Sequence, residues 1–70
     1  MNVFDDIFDL MTYVMDIKAL NGFCSYSNTV EKFGIELLVK AIVELKLLSY
    51  NKENGSLIVT ENGWKYMKPF

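Results

Sequence analysis

The sequence predicts an α+β fold in one small domain, and three features predict it. Residues 1–20 have the pattern of a long amphipathic helix, Asn54-Gly55 marks a hairpin between two short strands, and Thr60 stands where a further helix begins. Asn-Gly favours a type I′ turn, because both central residues of that turn need positive φ. The hydroxyl of Thr60 can cap the helix that follows the second strand. Seventy residues leave room for one core, so we expect one domain over 1–70.

The first helix is expected over residues 1–20, where Asn21-Gly22 stops it. Its apolar residues form two neighbouring stripes at helical spacing, which together cover about half of the circumference, whereas a single core needs only about 100°. The helix is therefore either sunk deep in the domain or faces a second subunit with its second stripe, and the small size of the domain favours the homodimer slightly. The first stripe consists of Val3, Ile7, Leu10, Val14 and Ile17; the second, the candidate interface, consists of Phe4, Phe8, Met11 and Met15.

The opposite face of this helix is acidic. Asp5, Asp9 and Asp16 lie there, and they are candidate contacts for a basic protein partner. The ordinary interpretation of such spacing is a solvated helix face, and it fits that better than a metal site. We therefore expect no metal.

The middle of the chain predicts two further helices. Residues 21–28 are turn-like with a short extended piece at 23–26, and Ser27 or Asn28 is expected to cap a short helix that Gly34 ends. The following helix begins at Ile35 and runs to about residue 47; a single continuous helix over residues 29–47 is the alternative. Its inward positions are Leu38, Ile42 and Leu45, joined by Leu37 and Ala41 or by Val39, depending on the rotation of the helix. Its exposed side carries an i,i+4 ladder of Glu36, Lys40 and Glu44.

The carboxyl-terminal part predicts a hairpin over residues 48–59 and a short helix over 60–68. A helix this short does not persist alone in water, so it must pack on the domain, and Trp64 and Met67 are the expected contacts.

Three segments carry a family resemblance: EKFGI at 31–35, LVKAIVELKLLSY at 38–50 and NKENGSLIVTENGWKYM at 51–67. Together, over about residues 28–67, they resemble the winged helix-turn-helix domain of small prokaryotic, archaeal and viral regulators. The resemblance implies a three-helix core, a helix-turn-helix over 28–47, a two-stranded wing over 48–59 and a final helix. The glycine usual at the end of the third helix is replaced here by Lys46 or Leu47, so that turn must be made differently.

The resemblance implies a regulator of transcription that binds duplex DNA as a homodimer. Two glutamates on the exposed side of the third helix oppose this, since they repel phosphates, and the acidic net charge of the chain opposes it as well. The alternative is a module of the phage or plasmid type that binds a host protein through an acidic and apolar surface without binding DNA. The candidate DNA contacts are Ser27, Asn28, Thr29, Lys32, Lys40, Lys52, Asn54 and Lys65.

Charge and composition bound the remaining classes of function. The net charge is −2, with −4 in residues 1–31 (five acids, one lysine) and +2 in residues 32–70 (four acids, six lysines). There is no histidine and one cysteine, Cys24, so nucleophile–base pairs and zinc sites lack their residues. We expect no enzymatic activity, no cofactor and no small-molecule substrate. The lone thiol, the acidic amino terminus and the lack of a long apolar run favour a cytoplasmic location without membrane contact.

Overall fold

Apolar residues at helical spacing build the first helix and fix its orientation on the domain. The computed structural model of the protein describes residues 3–68, with side chains described from residue 6 onward. Four helices and one antiparallel hairpin of two strands make up this part of the chain, an α+β arrangement compatible with a small winged helix. In chain order the elements are α1 (Val3–Asn21), α2 (Tyr26–Phe33), α3 (Ile35–Val39), a π-helical segment (Lys40–Glu44) that continues α3, β1 (Leu48–Asn51), β2 (Ser56–Val59) and α4 (Glu61–Met67).

The core lies between α1, the third helix and the inner face of the hairpin. The first apolar stripe of α1 points into it: Ile7, Leu10 and Val14 are fully buried, and Ile17 is half-buried against them. Met11, expected on the second stripe as part of a subunit interface, is also fully buried. That expectation was wrong for Met11, because α4 packs over this side of α1 and encloses its side chain.

The segment between α1 and α2 joins the hairpin. Ser25 and Ser56 form an isolated antiparallel bridge, and the N–H of Leu57 donates to the carbonyl of Cys24 (2.9 Å). The ammonium of Lys18 donates to the carbonyl of Leu57 (3.0 Å). These bonds satisfy the backbone of β2 on the side away from β1, where an unpaired strand edge would otherwise be exposed.

Helix α2 begins at Tyr26, two residues before the start that a cap at Ser27 would give. Its cap is Ser25, whose hydroxyl accepts from the N–H of Asn28, so the prediction of Ser27 or Asn28 as the cap was wrong. The physical reason is the bridge to Ser56, which fixes Ser25 in an extended conformation and leaves its side chain free to cap. Gly34 ends the helix with φ 93°, as predicted from its position.

The third helix ends in a turn that usually needs glycine. The N–H of Leu45 donates to the carbonyl of Lys40 (3.0 Å), an i→i+5 bond that widens the last turn. Lys46 then adopts φ 55° and reverses the chain, so that the N–H of Leu47 reaches the carbonyl of Ala41 (2.8 Å). A lysine thus takes the left-handed conformation in which helices commonly end.

The hairpin lies where the sequence predicts it, but its turn differs. Asn51 pairs with Ser56, so the loop has four residues, and within it Gly55 alone has positive φ (70°). The expected type I′ turn centred on Asn54-Gly55 was therefore wrong. Two asparagine side chains shape the longer loop: Asn51 Oδ1 accepts from the N–H of Glu53 (2.9 Å) and Asn54 Oδ1 from that of Ser56 (3.0 Å).

Helix α4 is capped as predicted but packs differently. The Thr60 hydroxyl accepts from the N–H of Gly63 (3.0 Å) and donates to the carbonyl of Lys46 (2.6 Å). Gly63 is buried against Leu47, and Met67, one turn further, is half-buried on the core. Trp64 lies about 100° around the helix from Gly63 and is 56% exposed, so the expectation that it packs inward was wrong.

Candidate functional site

The outer surface of the third helix is apolar. The exposure of its side chains shows which of the two possible rotations the helix adopts. Leu38 and Ala41 are fully buried, whereas Ile35, Val39 and Val43 are 47%, 42% and 63% exposed. Of the two rotations that the sequence leaves open, the one with Leu37 and Ala41 inward is therefore the one adopted, and Val39 points outward. We call Ile35, Val39 and Val43, spaced four residues apart, the valine ridge.

Charged residues lie along one side of the valine ridge. Glu36 and Glu44 are exposed, and the ammonium of Lys40 is paired with the Glu44 carboxylate at 3.0 Å. The side chains of this pair are 41% and 62% exposed to solvent, so the pair adds little to stability. The pair does neutralise the charge of Lys40, the lysine beside the valine ridge. The two glutamates and one lysine leave the surface with a net negative charge.

The beginning of α2 lies beside the hairpin loop. The N–H of Tyr26 donates to the carbonyl of Gly55 (2.9 Å), and the rings of Tyr26 and Tyr50 are in contact, with centroids 4.6 Å apart. Ser27 and Asn28, both exposed, are thereby placed near the loop that carries Lys52 and Asn54. Four of the candidate DNA contacts therefore lie in one region: Ser27, Asn28, Lys52 and Asn54.

Thr29, also a candidate DNA contact, is fully buried. Its hydroxyl donates to the carbonyl of Ser25 (2.8 Å) and lies 3.4 Å from the sulfur of Cys24. Its hydroxyl is thus unable to reach a phosphate, and including Thr29 among the DNA contacts was wrong. The bond to Ser25 is the reason, because it turns the hydroxyl back onto its own helix. Cys24 is buried in the same place, and its thiol is part of the core.

The remaining candidate cations lie on different elements. The ammonium of Lys32 sits over the rings of Tyr13 and Phe33, 5.4 and 5.9 Å from their centroids. Lys52 is exposed in the hairpin loop, next to Glu53. Lys65 is on α4, which packs on α1 and β2, and its ammonium lies 3.5 Å from the carboxylate of Glu61. Lys65 is therefore not part of the surface that α2, the third helix and the loop form.

The predicted interface and acidic face of α1 are placed as follows. Phe8 is 51% exposed and Met15 is half-buried beside α4, whereas Met11 belongs to the core. Asp9 and Asp16 are exposed. The side chains of Phe4 and Asp5 lie outside the described residues. The structure thus keeps two of the four predicted interface residues, Phe8 and Met15, at an accessible surface.

Known proteins give no guide to this surface. Comparison of the chain with models of protein families, with curated proteins and with solved structures found no match. The function must be inferred from the surface itself.

Two further properties of the described residues concern metal binding and membrane spanning. Within residues 3–68, as far as they are described, no group of three histidine, cysteine, aspartate or glutamate residues is arranged to hold a metal ion. No helix in the same part of the chain is long and apolar enough to cross a membrane.

Proposed function

We propose that this chain is a small winged-helix protein that binds another protein through the valine ridge. The helix order, the bridge at Ser25 and the hairpin support the fold, with α1, α2 and the third helix as a three-helix core. Lys46 supports it as well, since it takes the conformation of the glycine that the family resemblance leads one to expect.

The outward position of Val39 and Val43 is the observation that carries this proposal. In a winged helix-turn-helix domain this face of the third helix is the one that enters the major groove. Reading base edges there requires arginine, lysine or amide side chains, and apolar contact alone distinguishes little beyond the thymine methyl group. Exposing three aliphatic side chains to water is unfavourable, and burying them against another protein lowers the free energy.

The charges beside the ridge define the partner's chemistry. Glu36 and Glu44 would face its rim, so we propose an apolar surface or amphipathic helix bordered by lysine or arginine, such as a basic host protein presents. Since the ridge is short, it fits the few anchor positions that one helix presents at i, i+4 and i+7.

The test uses two synthetic amphipathic helical peptides as probes. Both have a leucine face; one has lysine and the other glutamate on its polar face. We expect the leucine–lysine peptide to bind, as measured by its fluorescence anisotropy, and Val43→Gln to weaken it by about fivefold to tenfold because an apolar contact is lost.

The matched control is Leu20→Gln, which removes a side chain that is 79% exposed at the end of α1. It should leave peptide binding unchanged. Equal binding of the two peptides, or binding that Val43→Gln does not alter, would contradict the proposal.

A second candidate function is binding to duplex DNA as a homodimeric regulator. The juxtaposition of Ser27 and Asn28 with the hairpin loop favours it, because hydroxyl, amide and backbone N–H groups at a helix start contact phosphates. Lys32 and Lys52 would add the cations, with Lys40 available only if it leaves Glu44.

Retention on random duplex DNA as sodium chloride rises separates the two candidates. DNA binding predicts salt-sensitive retention that Lys52→Glu lowers without changing the melting temperature, while Lys52→Arg, which keeps the positive charge, leaves retention unchanged. Absence of retention at the lowest salt would count against DNA, since phosphate attraction is the least a DNA-binding protein shows.

A further inference from the structure

A second surface, formed by α1 and α4, combines an apolar centre with a cavity. The cavity, about 400 Å³ and open to solvent, lies against Met15 of α1 and is otherwise lined by α4 and the residue after it. Its apolar lining comes from Met15, Trp64 and Met67, and its polar lining from Glu61, Lys65 and Lys68. We call this surface, with Phe8, the α1–α4 face.

The apolar centre extends from the cavity along α1. Met11 anchors α4, since its terminal methyl group lies near Gly63, and Met15 follows one turn later beside the cavity. Phe8 precedes Met15 by seven residues, nearly two turns, so the two side chains are almost in line on the same side of α1. With Phe8 51% and Trp64 56% exposed, each helix contributes one large aromatic side chain that is half in water.

The two edges of the α1–α4 face carry opposite charge. Beyond Phe8 and Met15, further around α1, lie the exposed carboxylates of Asp9 and Asp16. On the α4 side, the cavity is lined by the exposed cations Lys65 and Lys68 and by Glu61, which is paired with Lys65 at 3.5 Å, so this edge has a net positive charge. Crossing the face from α1 to α4, one meets an acidic edge, an apolar centre and a basic edge.

This order is self-complementary. Consider a two-fold axis that lies in the interface and runs along the apolar centre, parallel to the two edges. It brings the acidic edge of each copy onto the basic edge of the other. The same operation lets Trp64 of each copy approach the cavity beside Met15 of the other. We propose that a second copy of this chain covers the α1–α4 face, and that the protein is a two-fold homodimer paired through α1 and α4.

The proposed dimer differs from the interface that the sequence predicts. That interface used α1 alone and included Met11, whereas here α4 supplies the cavity, the tryptophan and the basic edge. The surface also differs from the valine ridge, so dimerisation and partner binding can fail separately. A standard interface buries about 800 Å² per subunit. Because α4 has only 7 residues, the α1–α4 face is small by that measure, and association should be reversible.

Charge reversal at the two edges tests the two-fold arrangement. One variant carries Asp9→Lys and Asp16→Lys, and the other carries Lys65→Glu and Lys68→Glu. Each variant alone repels itself at both edges, so we expect monomers by sedimentation velocity at concentrations where the wild type is dimeric. In an equimolar mixture both edges attract again, and we expect a heterodimer, resolved by native mass spectrometry through the mass difference.

A matched control reverses two exposed acids away from this face, Glu31→Lys and Glu53→Lys, and should dimerise like the wild type. Circular dichroism confirms that each variant remains folded; a variant that unfolds is replaced by the corresponding single substitution. Trp64 is the only tryptophan, so its emission reports the same event. It should move to shorter wavelength as the protein concentration rises.

A wild type that stays monomeric over the whole concentration range, with Trp64 emission unchanged, would overturn the proposal. So would single-edge variants that dimerise as well as the wild type, or a mixture that fails to form the heterodimer while the wild type forms its dimer. None of these results bears on the peptide binding of the valine ridge.

Discussion

At the scale of single residues, Lys46 is notable because a lysine adopts a backbone conformation that favours glycine. Its φ of 55° is the left-handed conformation, which costs residues with a Cβ roughly 1 kcal/mol relative to glycine. The carbonyl of Lys46 accepts from the Thr60 hydroxyl, so the strained turn also connects the third helix to the beginning of α4.

We predict that Lys46→Gly raises the free energy of unfolding by about 0.5–1 kcal/mol, since it relieves this strain without removing a backbone bond. Lys46→Ala is the control because it removes the same side chain and keeps the Cβ. Urea unfolding of both variants checks it. If glycine stabilised no more than alanine, the backbone conformation would not be the cause.

Gly63 shows the opposite requirement, a position where only glycine fits. A Cβ there would collide with the carbonyl oxygen of Leu47 and come within 2.8 Å of a methyl group of Val59. The sequence offers a sign of this in Gly63 itself, three residues after a capping threonine, whereas the expected contacts of α4 were Trp64 and Met67. The approach of α4 to Leu47 thus depends on the absence of a side chain at position 63, which a rule based on hydrophobicity does not predict.

Gly63→Ala should therefore lower the free energy of unfolding by at least about 2 kcal/mol, because backbone as well as side chains must shift. The neighbouring exposed residue gives the control: Asn62→Ala should change stability by less than about 0.5 kcal/mol. Thermal and urea unfolding measure both. A Gly63→Ala variant as stable as Asn62→Ala would mean that α4 does not approach Leu47 this closely.

At the scale of elements, the Thr60 hydroxyl links the start of α4 to the end of the third helix. It caps α4 at Gly63, and it donates to Lys46 at the end of the third helix. We predict that Thr60→Val, which keeps the shape and removes the hydroxyl, costs about 1–2 kcal/mol.

The serine variant separates the hydroxyl from the methyl group. Thr60→Ser should retain most of the stability in urea unfolding, and circular dichroism should show helix content close to that of the wild type. Equal losses for valine and serine would assign the effect to packing of the methyl group instead of to the cap.

The elements themselves were largely predictable, because each depends on local chemistry. The spacing of apolar residues gave α1, Thr60 gave α4, and Asn54-Gly55 located the hairpin. The details that failed depend on contacts distant in sequence. Ser25 caps α2 because Ser56 holds it extended, in a run where Ser25, Ser27 and Asn28 could all serve locally. The four-residue loop follows from the pairing of Asn51 with Ser56, which no local rule specifies.

The rotation of the third helix shows the same limit at the candidate site. Leu37 and Val39 are both apolar, and either could face the core, so the pattern alone does not choose. The choice is made by packing: the third helix lies between α1, α2 and the hairpin with Ala41, the smallest apolar side chain it has, at a fully buried position. Once Ala41 is inside, Val39 and Val43 must point outward, and the exposed face of the third helix becomes apolar.

At the scale of the whole molecule, the proposed dimer would use α1 both for the core of each subunit and for association, through different residues of the helix. Met11 is fully buried beneath α4 and Phe8, three residues earlier, is half-exposed on the α1–α4 face. Stability within one subunit and association between subunits should therefore respond to different substitutions on the same side of one helix.

Met11→Ala should lower the free energy of unfolding by about 2–4 kcal/mol, the usual cost of a large-to-small change in a core. Phe8→Ala should change it by less than about 1 kcal/mol, because half of the ring is already in water, yet it should weaken dimerisation at least tenfold by removing an aromatic contact from the apolar centre. Urea unfolding at low concentration, where the protein is monomeric, measures the first effect, and sedimentation equilibrium measures the second. A Phe8→Ala variant that loses stability as a monomer would place the ring in the core of its own subunit, and the apolar centre of the α1–α4 face would then be too small to hold a second copy.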